Sequence, residues 1–419
     1  MGMTFAEKIL AKKSGNATVV PGQIVTVRPD HLLTHDNTSA IVGKIGEELK
    51  RYGLCDPELP VIAIDHVVPA ASEKAAAGHA AIRDFVKTHG VKHFFDVGEG
   101  VCHQLVPEKG LAFPGTLVLG SDSHTCTYGA LNAFSTGIDR TEAAVLLLTG
   151  ETWLKVPETI RIDLHGLLPN GVTAKDLVLR IIGDLGAGGA TYKAVEYHGD
   201  LPSLTMDDRL TIANMGIEMG AKIAVFPVDG ATEQYLSTAA PGRDWDAAWA
   251  DEDAEYARVL SYDLSGLEPV VACPHTVDNV RPVSELAGTP VHQVLLGTCT
   301  NGRLADLRAA ARILKGRKLA QGVRMIVLPA SRTIAQEAMR DGTLPDLVEA
   351  GAMAAPPGCG PCLGAHMGLL APGERCVSTS NRNFKGRMGS TDAEVYLGSP
   401  LTAAAAALTG KITDPRELG

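Results

Sequence analysis

Short apolar runs of strand length alternate along this chain with segments of helical composition. The runs at residues 61–68, 116–119 and 294–296 are rich in Val, Ile and Leu. Helical patterns over residues 140–154, 174–185 and 304–314 lie between runs of this kind. Strands that are separated by helices form units in which neighbouring strands run parallel. The alternation therefore predicts an α/β fold with mainly parallel sheets.

The length of 419 residues suggests two or three domains, because each domain needs enough chain to bury a core of its own. Hinges are expected at residues 156–157 and in the proline-containing stretch 274–290. These hinges predict three α/β domains, which span residues 1–156, 157–285 and 286–419.

The charge and hydropathy of the chain limit its partners. The formal net charge of -10 repels polyanions, so neither nucleic acid nor an anionic membrane is expected to bind, and an anionic substrate needs a local positive pocket. No apolar run approaches the ~20 residues of a membrane span, and the first residues lack the apolar core of a signal peptide. We expect a cytoplasmic protein.

Polar residues and a cysteine lie where three of the predicted strands end. They are Asp65-His66, Asp122-Ser123-His124 and Cys299-Thr300-Asn301. In open α/β sheets, ligands bind in the crevice beyond the carboxyl ends of the strands. Three such groups in separate strand–loop units indicate the walls of one shared site.

The most specific local pattern is Gly-Cys-Gly-Pro-Cys at residues 358–362, with Cys299 upstream. A Cys-Gly-Pro-Cys string is typical of thioredoxin, but Pro-Pro-Gly replaces the expected Trp before it. Structural zinc needs four ligands, which Cys376 or His366 could complete, yet no second close pair exists. Thiolates also hold iron–sulfur clusters, and three ligands would leave one iron open, as hydration chemistry requires.

Other residues could bind or transfer protons. Histidines beside aspartates, together with His103, are typical of acid–base pairs, although each alone could be a surface residue or a strand-end cap. Asn214 and Glu218 are spaced to share one face of a helix over residues 212–220, which could also be an exposed face. The stretch 381–387 holds two arginines and a lysine, a local cationic spot that could bind carboxylates or be ordinary surface charge.

Taken together, six strings resemble the aconitase superfamily and occur in the family order. They are Asp65-His66, Gly120-Ser121-Asp122-Ser123-His124-Thr125, Asn214-Met215-Gly216-x-Glu218, Cys299-Thr300-Asn301, Gly358-Cys359-Gly360-Pro361-Cys362 and Asn381-Arg382-Asn383-Phe384-x-Gly386-Arg387. The resemblance implies three α/β domains around a central 4Fe-4S cluster. It also implies that Cys299, Cys359 and Cys362 hold this cluster with one iron open.

The resemblance assigns roles to further residues. Asp65 and His66 resemble the pair that delivers a proton to the leaving hydroxyl. His103, Asp122 and Glu218 match positions around the water at the open iron. His124 matches a further catalytic histidine that is paired with a carboxylate, which the sequence does not identify. Substrate or cluster contacts are implied for His35, Ser123, Asn214, Asn381, Arg382 and Arg387.

The resemblance also implies a partner chain. Single-chain members carry a swivelling fourth domain that supplies a serine base, and the sequence to Gly419 is expected to lack it. This arrangement is similar to the two-subunit branch, in which a small subunit carries that domain. The branch includes 3-isopropylmalate dehydratase, homoaconitase and the methylmalate and dimethylmalate dehydratases. The implied activity is isomerisation of a substituted malate by dehydration and rehydration, with isopropylmalate ranked first.

Overall fold

The computed structural model describes residues 2–418, in which helices and strands alternate as predicted. The strands are β1 (Ile24–Val27), β2 (His31–Thr34), β3 (Pro60–Ala63), β4 (His93–Phe95), β5 (Leu117–Gly120), β6 (Phe134–Gly137), β7 (Thr152–Lys155), β8 (Thr159–His165), β9 (Ala194–Gly199), β10 (Ile223–Val225), β11 (Arg258–Asp263), β12 (Val270–Ala272), β13 (Val280–Pro282), β14 (Gln293–Gly297), β15 (Arg324–Leu328), β16 (Met353–Ala354), β17 (Arg375–Ser378) and β18 (Glu394–Leu397).

The α-helices connect these strands. They are α1 (Phe5–Ser14), α2 (Thr38–Gly43), α3 (Gly46–Tyr52), α4 (Glu73–His89), α5 (Cys102–Glu108), α6 (Arg140–Thr149), α7 (Ala174–Leu185), α8 (Met206–Asn214), α9 (Gly230–Ala239), α10 (Thr298–Asn301), α11 (Leu304–Leu314), α12 (Arg332–Arg340), α13 (Thr343–Ala350) and α14 (Pro400–Thr409). The 3-10 helices are Ser123–Leu131, Leu201–Ser203, Met215–Met219, Leu264–Gly266, Val283–Leu286, Gly360–Leu363 and Pro415–Leu418. Within residues 2–418, no helix is long and apolar enough to cross a membrane.

Three larger sheets follow one another along the chain. The first has the order β4-β3-β2-β5-β6 and the second the order β10-β9-β8-β11, and both are parallel throughout. The third has the order β13-β12-β18-β17-β14-β15-β16 and is parallel from β18 to β16. The predicted α/β fold with mainly parallel sheets is confirmed.

The antiparallel pairings lie outside the central parts of the sheets. β1 and β7 form a separate two-stranded ribbon, and β12 pairs antiparallel with both β13 and β18. The third sheet therefore takes in residues from Val270 onward. The limits predicted for the three domains stay a prediction.

Hydrophobic side chains pack on both faces of the first sheet. Leu33 and Val61 belong to a large core that continues into the second and third sheets, whereas Leu32 and Ile62 face a separate core with α1. Successive residues of a strand point to opposite faces, so each strand supplies both cores. This burial on both faces explains why the parallel strands are almost continuously apolar.

One predicted helix is longer in the sequence pattern than in the structure. Residues 140–154 were expected to form one helix, but α6 ends at Thr149. Gly150 adopts a left-handed conformation, with φ of 71°, and its N–H caps the helix end. The next residues extend into β7, whose pairing with β1 is a tertiary interaction that the local pattern does not reveal.

Candidate active site

Three neighbouring strands of the first sheet end at the same edge, and polar residues follow each of them. His35 follows β2, Asp65 and His66 lie beyond β3, and Asp122 lies beyond β5. Because the strands are parallel, their carboxyl ends bring these side chains together. This edge forms one wall of a cleft.

The Asp65–His66 pair lies at the end of β3. His66 Nδ1 is 2.6 Å from Asp65 Oδ1, and Asp65 is fully buried, with its second oxygen accepting the N–H of Cys102 at 2.7 Å. His66 Nε2 therefore faces the cleft, 3.4 Å from Asp122 Oδ2. Burial alone would lower the pKa of His66, but the carboxylates of Asp65 and Asp122 raise it well above its usual value. The two carboxylates thus favour the protonated ring of His66.

Asp122 is the shared partner of several imidazoles. His103 Nε2 lies 2.8 Å from Asp122 Oδ1, and His103 Nδ1 lies 3.1 Å from the hydroxyl oxygen of Tyr128. The backbone N–H of His124 also donates to Asp122 Oδ1. Burial would raise the pKa of Asp122, but His103, His124 and His66 lower it far below its usual value. Asp122 is therefore a permanent negative charge in the cleft.

The structure provides the carboxylate partner of His124 that the sequence left unidentified. His124 Nε2 lies 2.8 Å from Glu218 Oε1, and Arg382 Nε donates to the same oxygen at 2.7 Å. Burial would raise the pKa of Glu218, but His124 and Arg382 hold it below its usual value. This chain of charges joins residues from the first, second and third sheets.

The helix predicted over residues 212–220 is shorter than expected. α8 ends at Asn214, and Glu218 lies in the following 3-10 helix, Met215–Met219. Both side chains still reach the cleft region, because Asn214 donates to Cys299 Sγ at 3.4 Å while Glu218 binds His124. Asn214 and Glu218 therefore do not share one face of a continuous helix.

The opposite wall carries three cysteines. Cys299 lies in α10 directly after β14. Cys359 directly precedes the 3-10 helix Gly360–Leu363, and Cys362 lies within it. Asn381 connects two of the sulfurs, since Cys362 Sγ donates to its oxygen at 3.5 Å and its amide donates to Cys299 Sγ at 3.6 Å. All three cysteines line the same cleft.

The thiols perturb one another. A hydrogen bond from the Cys359 thiol to the Cys362 sulfur raises the pKa of Cys359 well above its usual value and lowers that of Cys362 well below it. Arg387, 3.7 Å from Cys362 Sγ, also favours the thiolate. Burial raises the pKa of Cys299 to about 12. Burial and the shared hydrogen bond therefore favour the thiol form of Cys299 and Cys359, and a positively charged partner would be needed to hold these sulfurs as thiolates.

The loop that carries Cys359 approaches the first wall closely. The backbone N–H of Cys359 donates to Asp65 O at 2.8 Å. A Cβ on Gly358 would lie 2.8 Å from the same carbonyl oxygen, so only glycine allows this approach. The cysteine loop is thereby placed against the Asp65–His66 pair.

Every residue predicted for the site lies in or beside this cleft. Those that line it are His66, His103, Asp122, Ser123, His124, Cys299, Cys359, Cys362, Asn381, Arg382 and Arg387. The other four contact lining residues: Asp65 and His35 contact His66, Asn214 contacts Cys299, and Glu218 contacts His124. Cys376 and His366 are not among the lining residues described in this structure. The structure thus assembles the predicted set, while the individual roles stay predictions.

His35 stacks on His66, with ring centroids 3.9 Å apart. Burial, with the positive charge of His66 beside it, lowers the pKa of His35 to about 4, so His35 is neutral at neutral pH. A neutral ring can cover His66 without repelling it.

Three residues around the site were missed from the sequence. Asp36 binds the backbone of the Asp65–His66 loop. Lys175 Nζ donates to the carbonyl oxygens of the loop before Asn381, at 3.0 and 2.5 Å, and Arg303 donates to the Cys299 carbonyl at 3.0 Å. Lys175 had a detectable signal, because its position falls on the apolar face of α7, where a lysine needs an internal partner.

Comparison with known proteins agrees with this geometry. The model of the Aconitase family (aconitate hydratase) matches residues 7–290 and 283–410. The 3-isopropylmalate dehydratase large subunit 1 of Methanopyrus kandleri is 50% identical over 417 residues, covering 99% of each chain. The probable methanogen homoaconitase large subunit of Methanosarcina mazei is 49% identical over 390 residues, covering 93% of this chain and 99% of that one. Aconitase X of Thermococcus kodakaraensis shares the fold, with a TM-score of 0.52, 12% identity and coverage of 93% and 92%.

The chain belongs to the aconitase family, and it is a hydro-lyase of the aconitase type. The family implies an iron–sulfur cluster. The cleft fits such a group, because three buried thiols line it and two of them, Cys299 and Cys362, are contacted by amide or guanidinium donors. Hydrogen bonding of this kind surrounds cluster sulfurs.

Proposed function

We propose that this chain is the large subunit of a 3-isopropylmalate dehydratase, which converts 2-isopropylmalate to 3-isopropylmalate by dehydration and rehydration. Relatives from three organisms that are 46–50% identical over 99–100% of this chain carry that name. The observation that carries the proposal is the single cleft that combines three thiols, paired carboxylates and imidazoles, and two arginines.

Cys299, Cys359 and Cys362 would hold a 4Fe-4S cluster through their sulfurs. Three protein ligands leave one iron open, and when bound the cluster supplies a Lewis acid that polarises the substrate hydroxyl. The amides of Asn214 and Asn381 would then donate to cluster sulfurs from the positions that they occupy beside Cys299.

His66 would donate a proton to the departing hydroxyl. Its Nε2 faces the cleft and its raised pKa keeps the ring protonated at neutral pH. Asp65 orients the ring through Nδ1 and stabilises the imidazolium. In the return direction the same nitrogen accepts the proton.

The charged groups around Asp122 would orient the water that leaves and returns. Asp122 and His103 are hydrogen-bonded to each other and line the cleft. Glu218 holds His124 and Arg382 in place with one oxygen. These fixed charges cost no rearrangement when the hydroxyl departs.

Arg382 and Arg387 would bind the carboxylates of the substrate. Both line the cleft of an otherwise acidic chain, and guanidinium groups match carboxylates in geometry. Ser123 and Asn381 line the same surface and offer further hydrogen bonds. The substrate would therefore be a small di- or tricarboxylate with a hydroxyl group.

A small subunit would complete the site. The named relatives are large subunits, and this chain matches them over nearly their whole length. We propose that the partner carries the swivelling domain with the serine base that removes the proton beside a substrate carboxylate. The active form is then a heteromer.

A homoaconitase is the second candidate, because a relative of that name is 49% identical. The two activities differ in the substituent on the malate, which a cleft built from two subunits would recognise jointly. The large subunit alone does not decide between them.

The test is anaerobic reconstitution of this chain with its small subunit, followed by assays with 2-isopropylmalate, homocitrate, citrate, citramalate and dimethylmalate. We expect isopropylmalate to have the highest kcat/KM. The chain without its partner should show little turnover. Preference for homocitrate would select the second candidate, and turnover of none of them would contradict the hydro-lyase assignment of the cleft.

A further inference from the structure

Asp36 makes four hydrogen bonds behind the catalytic wall. Its Oδ2 accepts the backbone N–H groups of Asp65 and His66, at 2.9 and 2.7 Å. Its Oδ1 accepts the N–H of Val67 at 3.0 Å and lies 3.0 Å from His79 Nε2. One carboxylate therefore binds three consecutive peptide groups.

This arrangement saturates the carboxylate. Both oxygens are occupied by donors from the loop after β3 and from α4, so Asp36 has no oxygen to offer a substrate. Its distance to His66 Nδ1 is 4.0 Å, longer than a hydrogen bond. Asp36 can affect the reaction only through the residues that it holds.

The peptide groups that Asp36 binds are those that carry the proton donor. Residues 65–67 follow the end of β3 at Ala63, where the sheet no longer fixes the backbone. A displacement of about 1 Å at a catalytic group can cost about 10²-fold in rate. Without Asp36, the N–H groups of three consecutive residues would lose their acceptor.

We propose that Asp36 is a positioning residue whose carboxylate fixes the peptide groups of residues 65–67 and thereby the place of the His66 imidazole in the cleft. The catalytic consequence rests on the proposed function, but the structural claim does not.

Asp36→Asn tests the proposal in the reconstituted enzyme with its cluster. The amide keeps one oxygen, so whichever way it turns, one pair of donors faces an NH2 group that cannot accept. We expect kcat to fall by about 10–100-fold while KM and iron content stay unchanged. In addition, hydrogen exchange of the amides of residues 65–67 should become faster.

Asp30→Asn is the matched control. Asp30 lies before β2, at the other end of the strand that Asp36 follows, and its Oδ2 accepts the N–H of Leu117 at 2.7 Å. It too anchors a neighbouring strand, but far from the cleft. Its kcat should stay close to that of the unaltered enzyme, and exchange at residues 65–67 should not change.

A double-mutant cycle separates positioning from general damage. In a His66→Ala background, Asp36→Asn should cause little further loss of kcat, because residues that act through one group are not additive. A further 10–100-fold fall would overturn the proposal. If Asp36→Asn fails to fold, His79→Ala replaces it, removing one of the four contacts, and a smaller fall in kcat that also disappears in the His66→Ala background is expected.

Hydrogen exchange distinguishes failure of this proposal from failure of the proposed function. If the unaltered enzyme turned over no substituted malate, the proposed function would fail, and faster exchange at residues 65–67 in Asp36→Asn would still support the positioning role. Unchanged exchange there, or full kcat in Asp36→Asn, would overturn it.

Discussion

The two walls of the cleft differ in how their polar groups are partnered. On the wall from the first sheet, His66 and His103 each have a carboxylate within 2.8 Å. On the wall from the third sheet, Cys299 and Cys362 have amide and guanidinium contacts of 3.4–3.7 Å, and burial raises the pKa of Cys299 to about 12. The acid–base wall is therefore complete within the protein, whereas the thiol wall requires a bound cation to hold its sulfurs as thiolates.

Substitution of the thiol wall should have the largest effect. Cys299→Ser, Cys359→Ser and Cys362→Ser should each lose the cluster and all measurable turnover, because a hydroxyl is a poor iron ligand beside thiolates. Cys376→Ser is the control, since Cys376 is buried in β17 and does not line the cleft described here. Iron and sulfide content and visible absorbance are the measurements. Loss of metal in Cys376→Ser but not in Cys299→Ser would favour a zinc site instead.

Substitution on the acid–base wall should leave the cluster in place. His66→Ala should lower kcat by roughly 10²–10⁴-fold, the usual scale for one general acid. Iron content should match that of the unaltered enzyme, because the His66 side chain contacts Asp65 and Asp122 and is not one of the residues proposed to hold the cluster. Near-normal kcat in His66→Ala would remove this residue from the mechanism.

The pH dependence of kcat should change when the charge of Asp65 is removed. The raised pKa of His66 means that the ring stays protonated as the pH rises through the usual histidine range, so kcat should fall only on the alkaline side of that range. Asp65→Asn removes the largest opposing charge, and the alkaline limb should move to lower pH. Profiles of kcat against pH for both enzymes provide the comparison, and coincident alkaline limbs would contradict this coupling.

Substitution of Lys175, a buried residue behind the thiol wall, should have the smallest effect on turnover and a clear effect on the free energy of unfolding. Lys175→Met removes the donor to two carbonyl oxygens before Asn381, which should cost about 1–3 kcal/mol of unfolding free energy. Arg180→Ala lies on the exposed face of the same helix, where it removes only the surface ion pair with Asp184, and should change stability by less than about 0.5 kcal/mol. Denaturant titrations of both variants make the comparison. Equal stabilities would show that the Lys175 contacts contribute nothing.

The sequence predicted the elements whose apolar spacing and end residues agree. α7 and α11 have the predicted limits, Ala174–Leu185 and Leu304–Leu314, because their apolar faces are continuous and the chain leaves helical geometry at their ends. The prediction of one helix over residues 140–154 was wrong, because β7 takes up the end of that range by pairing with β1, more than a hundred residues away. Pattern analysis sees local spacing and not such pairing.

In the site, too, local features could be predicted from the sequence and long-range pairings could not. Strand-end residues such as His66 and Asp122 could be named because parallel strands end at one edge. The pairings that cross between sheets could not be predicted, because Glu218 meets His124 only once the first and second sheets pack together. Asp36 was overlooked because its function is to bind backbone N–H groups, which leaves no trace in a side-chain motif.

The most direct test of the account is Mössbauer spectroscopy of the iron-57-labelled heteromer, with and without substrate. The account predicts four irons per large subunit, three held by Cys299, Cys359 and Cys362 and a fourth whose signal alone changes when 2-isopropylmalate is added. A cluster whose four irons are equivalent and unaffected by any substituted malate, or a protein that binds zinc in place of iron, would contradict it.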